Sequence, residues 1–138
     1  MLVLQPNKAF PRTVSAPPDY LYWYSAKTDR VIDGDTIEAT LDLGFHIAMK
    51  ERFRLYGINA YELTDKDPQK RQLALLGKQF VTDQLMPEDK PIVINSIKDE
   101  QEKYGRWLAV IYYQDSANAW HDLNQELIDK GLAVEYFP

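Results

Sequence analysis

Polar and apolar positions alternate cleanly from Thr36 to Leu43, in the order Thr-Ile-Glu-Ala-Thr-Leu-Asp-Leu. A period of two places one set of side chains on each face of a half-buried strand. Aromatic and β-branched residues dominate 20–32, which predicts a strand before it, and Asp33-Gly34-Asp35 is a turn signal between the two. Gly44 marks the next turn, and 47–56 reads as a third strand, so the first half of the chain is a β-meander. The period then changes. Asp67-Pro68 is a helix start, with Asp at the cap and Pro at the first position. Leu73, Leu76, Phe80 and Leu85 form an approximate helical stripe that runs to Met86, and Pro87 ends it. Two further strands are predicted at 91–97 and 107–113, and a second helix at 120–130 with Leu123, Leu127 and Ile128 on one face. Lys130-Gly131 is its stop signal. Residues 1–19 hold Pro6, Pro11, Pro17 and Pro18 and few apolar pairs, and read as an extended arm ahead of a domain at 20–138. The fold class is α+β. Five strands with two or more helices fit a small curled antiparallel barrel, but periodicity alone does not choose it over other α+β arrangements.

Composition narrows the function classes. The 138 residues are long enough for one domain with a real core, and 45% apolar with 27% charged residues is ordinary for a globular protein. Without cysteine there is no disulfide, thiolate metal site or cysteine nucleophile, and His46 and His121 lack zinc-like spacing. No apolar run reaches the ~20 residues of a membrane span, so no membrane partner is expected. The N-terminus of the chain as given lacks the pattern of a signal peptide, which favours an intracellular location. The net charge of −5 argues against a protein that coats DNA. The excess is local. Residues 99–138 carry eight acids against Lys103, Arg106 and Lys130, and residues 1–98 are balanced.

Chemistry-bearing residues cluster at predicted strand ends. Asp35 closes the Asp-Gly-Asp turn, Arg54 lies between the apolar Phe53 and Leu55, Glu62 follows the Gly57 break, and Arg106 follows Lys103-Tyr104-Gly105. Singly, each has an ordinary explanation: a turn-forming carboxylate, a solvent-facing arginine, a loop glutamate, a hairpin residue. Their order and spacing carry more.

Those pieces are VIDGDTIEA at 31–39, FRLYGINAYE at 53–62, DEQEKYGRWLAVIY at 99–112 and LIDKGLAV at 127–134. Together, over roughly 20–136, they resemble the staphylococcal nuclease (thermonuclease) family. The resemblance implies a five-stranded OB-type β-barrel with about three packed helices. It implies a calcium-dependent endonuclease that hydrolyses DNA, with RNA as a further substrate, by cleaving the P–O5′ bond to leave 3′-phosphates. Arg54 and Arg106 match the arginines that clamp the phosphate, and Glu62 the general base. Asp35, Asn59 and the Ala60 backbone carbonyl match the Ca²⁺ shell. Lys103 and Tyr104 match contacts to a neighbouring phosphate, and Tyr136 is the candidate for a C-terminal tyrosine. Two residues depart from the family pattern. Asn59 stands where the family has a metal-binding aspartate, which removes one formal charge but keeps an oxygen ligand acceptable to calcium. Asp33, Glu38 and Asp65 are the acids available to compensate. Tyr61 stands where the family usually has proline. The expected protein is a monomer. The alternative is a silent OB-type module that binds nucleic acid or protein, for which Glu62 would have no use.

Overall fold

A computed structural model describes residues 22–87 and 90–137, so the arm at 1–19 and the first residues of the predicted opening strand lie outside the described part. Strands β1 (Trp23–Asp33), β2 (Thr36–Asp42) and β3 (Ala48–Leu55) form the meander, joined at the Asp33-Gly34-Asp35 turn and at Gly44. A three-residue strand β4 (Ile58–Ala60) precedes helix α1 (Pro68–Leu85). Then come β5 (Ile92–Gln101), β6 (Trp107–Gln114), β7 (Trp120–Asp122), α2 (Leu123–Asp129) and β8 (Ala133–Glu135).

The main sheet runs β3-β2-β1-β5-β6-β7, and β3 also pairs with β6. That pairing closes five strands into a barrel. It is parallel, with Phe53 beside Trp107, Arg54 beside Leu108 and Leu55 beside Ala109, whereas the other barrel pairings are antiparallel. The barrel is therefore mixed rather than purely antiparallel. Inward positions of each strand fill it: Ile37, Ala39 and Leu41 from β2, Phe53 and Leu55 from β3, Ile92 and Ile94 from β5, Ala109 and Ile111 from β6. Leu123 and Leu127 of α2 and Val81 and Leu85 of α1 seal its open sides.

The helices correct the sequence reading in three ways. Two helices are present among the described residues, not about three. The predicted stripe on α1 is rotated: Ala74, Gly77, Val81 and Leu85 are buried, while Leu76 is exposed. The buried set keeps spacings of three and four throughout, whereas the predicted one steps five from Phe80 to Leu85, and small residues face inward where the helix packs close to the β1–β2 turn and to Leu132. The second predicted helix begins late. Trp120–Asp122 pairs with β6 as β7, and Asp122 then caps α2 by accepting from the Gln125 amide at 3.0 Å. Strands β4 and β8, paired through Asn59 opposite Val134, are too short to leave a periodic signal.

Candidate active site

Barrel closure assembles the site. Thr36 opens β2 and Arg54 lies opposite it near the end of β3. Closure of β3 onto β6 sets that corner against the start of β6, which Arg106 immediately precedes. The Asp33-Gly34-Asp35 turn folds beneath. A Cβ on Gly34 would lie 3.1 Å from the Ala60 methyl, so glycine there permits the close approach. That approach lets Ala60 N–H donate to Asp35 Oδ2 at 2.8 Å.

Around this corner lies an open cleft of about 870 Å³, lined by Asp35, Arg54, Asn59, Glu62, Lys103, Tyr104, Arg106 and Tyr136 among others. Eight of the nine residues expected from the sequence thus face one cavity. Ala60 sits behind it, bound through its amide to Asp35. Asp33, Thr36, Arg52 and Glu102 also line the cleft and were not assigned roles from the sequence. In the sequence Asp33 reads only as a compensating acid. Glu102 lay in an acid run that ordinarily reads as a solvated loop, and Thr36 in a strand with nothing to mark it.

Each guanidinium already has partners. Arg54 Nη1 lies 3.1 Å from Asp35 Oδ2, at an angle that makes an ion pair rather than a hydrogen bond, and its Nη2 donates to Asn59 Oδ1 at 2.7 Å. Arg106 is gripped by Glu102: Nε donates to Oε1 and Nη2 to Oε2, both at 2.9 Å. Its Nη1 donates to Thr36 Oγ1 at 2.9 Å, and Thr36 donates in turn to Asp35 Oδ1 at 3.1 Å. Glu102 also accepts from the Tyr104 and Arg106 amides, so its side chain closes the Lys103–Gly105 loop on itself. Arg106 holds the Glu102 carboxyl down to about 2, and Glu102 in return raises Arg106. The Lys103 ammonium and the Arg106 guanidinium both lie over the Tyr104 ring, 4.9 and 5.6 Å from its centroid. Glu62 is exposed at the rim, and the carboxylate is open to solvent at the mouth of the cleft.

The cleft carries four bases (Arg52, Arg54, Lys103, Arg106) against four acids (Asp33, Asp35, Glu62, Glu102), so it is electrically balanced rather than basic. Asp33 accepts from the Asp35 amide at 3.0 Å, and burial together with the neighbouring Asp35 carboxyl pushes it up to about 6. Two carboxyls crowded in this way form a hard-oxygen corner that a cation would relieve. Among the described residues no three acids or histidines gather closely enough to enclose a metal by themselves. A metal here would draw on Asp33, Asp35, the Asn59 amide, main-chain oxygen and water, a set that suits an oxygen-loving divalent ion. The other two acids considered for compensation are engaged elsewhere: Glu38 pairs with Arg30 and Arg52, and Asp65 accepts from the Asp67 amide beside α1.

A family model described as "Staphylococcal nuclease homologue" matches residues 52–138. The chain belongs to this family. Among curated proteins, "Endonuclease YhcR" of Bacillus subtilis (strain 168) is 28% identical over 127 residues, which is 88% of this chain and 10% of that relative. The chain thus spans about a tenth of the length of the curated relative it matches. The staphylococcal nuclease homologue match begins at Arg52 and takes in Arg54, Asn59, Glu62 and Arg106, while Asp33 and Asp35 lie upstream of it.

Proposed function

We infer that the protein is a phosphodiesterase of the nuclease class, acting on DNA and, as a further substrate, RNA. The observation that carries this is the convergence of two half-buried arginines, Arg54 and Arg106, with a solvent-open carboxylate, Glu62, around one cleft. A planar guanidinium matches two phosphate oxygens, and two of them bracket one phosphate. Both are held rigidly by their own acceptors, which places N–H donors before the substrate arrives. Glu62 is free to accept a proton from an attacking water. Calcium is the proposed ion of the oxygen corner, where it would offset phosphate charge when bound. Cleavage of the P–O5′ bond to leave a 3′-phosphate is the proposed outcome, with Lys103, Tyr104 and Tyr136 flanking the strand.

The test is cleavage of plasmid and single-stranded DNA by the purified protein, in calcium and in EDTA. Cleavage in calcium that EDTA abolishes supports the reading. None at millimolar calcium sinks it. One observation favours a second reading, a binding module: the cleft is balanced in charge, and its arginines already have partners. Tight metal-free binding of single strands without cleavage would establish that reading instead.

A further inference from the structure

Six side chains form one continuous chain across the cleft: Glu102, Arg106, Thr36, Asp35, Arg54 and Asn59. Its two halves meet at Thr36. A hydroxyl has one proton to donate and lone pairs to accept. Thr36 uses both, donating to Asp35 Oδ1 at 3.1 Å while accepting from Arg106 Nη1 at 2.9 Å. The residue is 2% exposed, although it stands on the face of β2 that carries Glu38 and Thr40 rather than the core face of Ile37 and Ala39. Arg106 bonds to its hydroxyl, and Arg54 lies opposite it on β3. Packing alone would be served by valine, which has the same shape and neither function.

Resting on the nuclease reading above, we propose that Thr36 is a positioning residue: its hydroxyl couples Asp35 to Arg106, so that both guanidiniums are oriented as one unit. Glu102 fixes the Nε–Nη2 edge of Arg106, and Thr36 fixes Nη1. Without the second point the guanidinium can swing about the Glu102 contact. Displacements of ~1 Å in a positioned group cost up to ~10² in rate.

The test compares wild type, Thr36→Val, Thr36→Ala and Thr36→Ser for cleavage of a single-stranded oligonucleotide in calcium, with kcat and KM separated. NMR of the Arg106 side-chain Nε–H in the metal-free protein accompanies it. The valine and alanine variants should lose about 10- to 10²-fold in kcat with KM within about threefold. Their Arg106 Nε–H signal should shift and exchange faster, and serine should restore both readouts. In an Arg106→Ala background, Thr36→Val should cost less than it does in the wild-type background, because the coupling it provides runs through that arginine. Wild-type kcat in the valine variant, serine as impaired as valine, or a full additional loss in the Arg106→Ala background would each overturn the proposal. A wild type that cleaves nothing would defeat the nuclease reading instead. The NMR arm then decides, and an Arg106 signal unchanged in both Thr36→Val and Thr36→Ala overturns the positioning role. Circular dichroism shows which variants are folded, and alanine relieves any crowding that valine introduces.

Discussion

Asn59 bonds to Arg54 through the same amide oxygen that a metal would use, at 2.7 Å. An acceptor cannot serve a guanidinium and a cation equally well at one lone pair, so on the calcium reading this position would divide its service between them. An Asn59→Asp change adds a charge to the oxygen corner and should tighten calcium binding, measured calorimetrically. Weaker binding in that variant would remove Asn59 from the ion's surroundings. Glu62 and Arg106 are different, since nothing else in the cleft duplicates an open carboxylate or the Glu102-held fork. Glu62→Gln and Arg106→Ala are each expected to lose at least ~10²-fold in cleavage rate, and a loss below tenfold in either would contradict its assigned role. At this scale no charged residue stood out by itself, and only the joint order of several, as in the family resemblance, singled them out. Arg54, Glu62 and Arg106 were placed together by that resemblance. Glu102 and Thr36 were not, because their importance lies in which atoms they touch, and those partners are 4 and 70 residues away in the chain.

At the scale of elements, the β2–β3 hairpin has a strained tip. The Ile47 amide donates to the Gly44 carbonyl at 2.8 Å, closing a turn whose central residues Phe45 and His46 have φ of 55° and 62°. Two left-handed non-glycine residues in succession are costly, and turns of this kind favour Asn-Gly. Phe45 is also 94% exposed, so no burial offsets the strain. Replacing Phe45-His46 by Asn-Gly should raise stability by about 1 kcal/mol, read from urea denaturation. A second feature sits at the other end of the barrel. His121 is clamped between Asp115, 2.7 Å from Nε2, and Glu126, 2.8 Å from Nδ1, and its ring stacks on Tyr113. Tyr113 donates its hydroxyl to the same Glu126 carboxylate and has the Lys90 ammonium 5.9 Å above its ring. Asp115 first, and Glu126 with it, raise His121 above its ordinary value. A raised histidine stabilises fully below its unfolded value and loses that contribution as pH climbs through the folded one. Wild type should therefore lose more stability than His121→Gln as pH rises from below the ordinary histidine value through the raised folded one. Parallel curves would show that the clamp contributes nothing. The strands here were legible because alternation is a two-residue signal. The α1 face was not, since the bulkier leucines drew the stripe toward Leu76, whereas the close approach of the β1–β2 turn and of Leu132 at Gly77 sets the buried face on Ala74 and Gly77.

For the whole molecule, charge decides how nucleic acid is met. A net −5 and a cleft with four acids matching four bases offer a polyanion little attraction. Counterion release scales with the number of phosphates neutralised, giving a log–log slope of about −0.7 per contact on single strands. In EDTA, binding of a labelled oligonucleotide should be weak, with a slope shallower than about −2 against salt; fluorescence anisotropy in increasing KCl measures it, and a steeper slope would mean that the arginines leave their internal partners freely. The five strands and the helical change of period were readable from pattern, and the barrel they form followed only from the family resemblance. Its parallel seam was not readable, because pairing between β3 and β6 leaves no mark in local pattern.

That seam has a consequence in time. Arg54 is on one side of it and Arg106 is at the other, 52 positions along the chain, and a pairing between segments so distant must first pay for closing a long loop. Until it does, neither arginine has its counterpart, and the half-made barrel carries no working cleft. On the nuclease reading, cleavage in a refolding experiment would return only once that seam had closed.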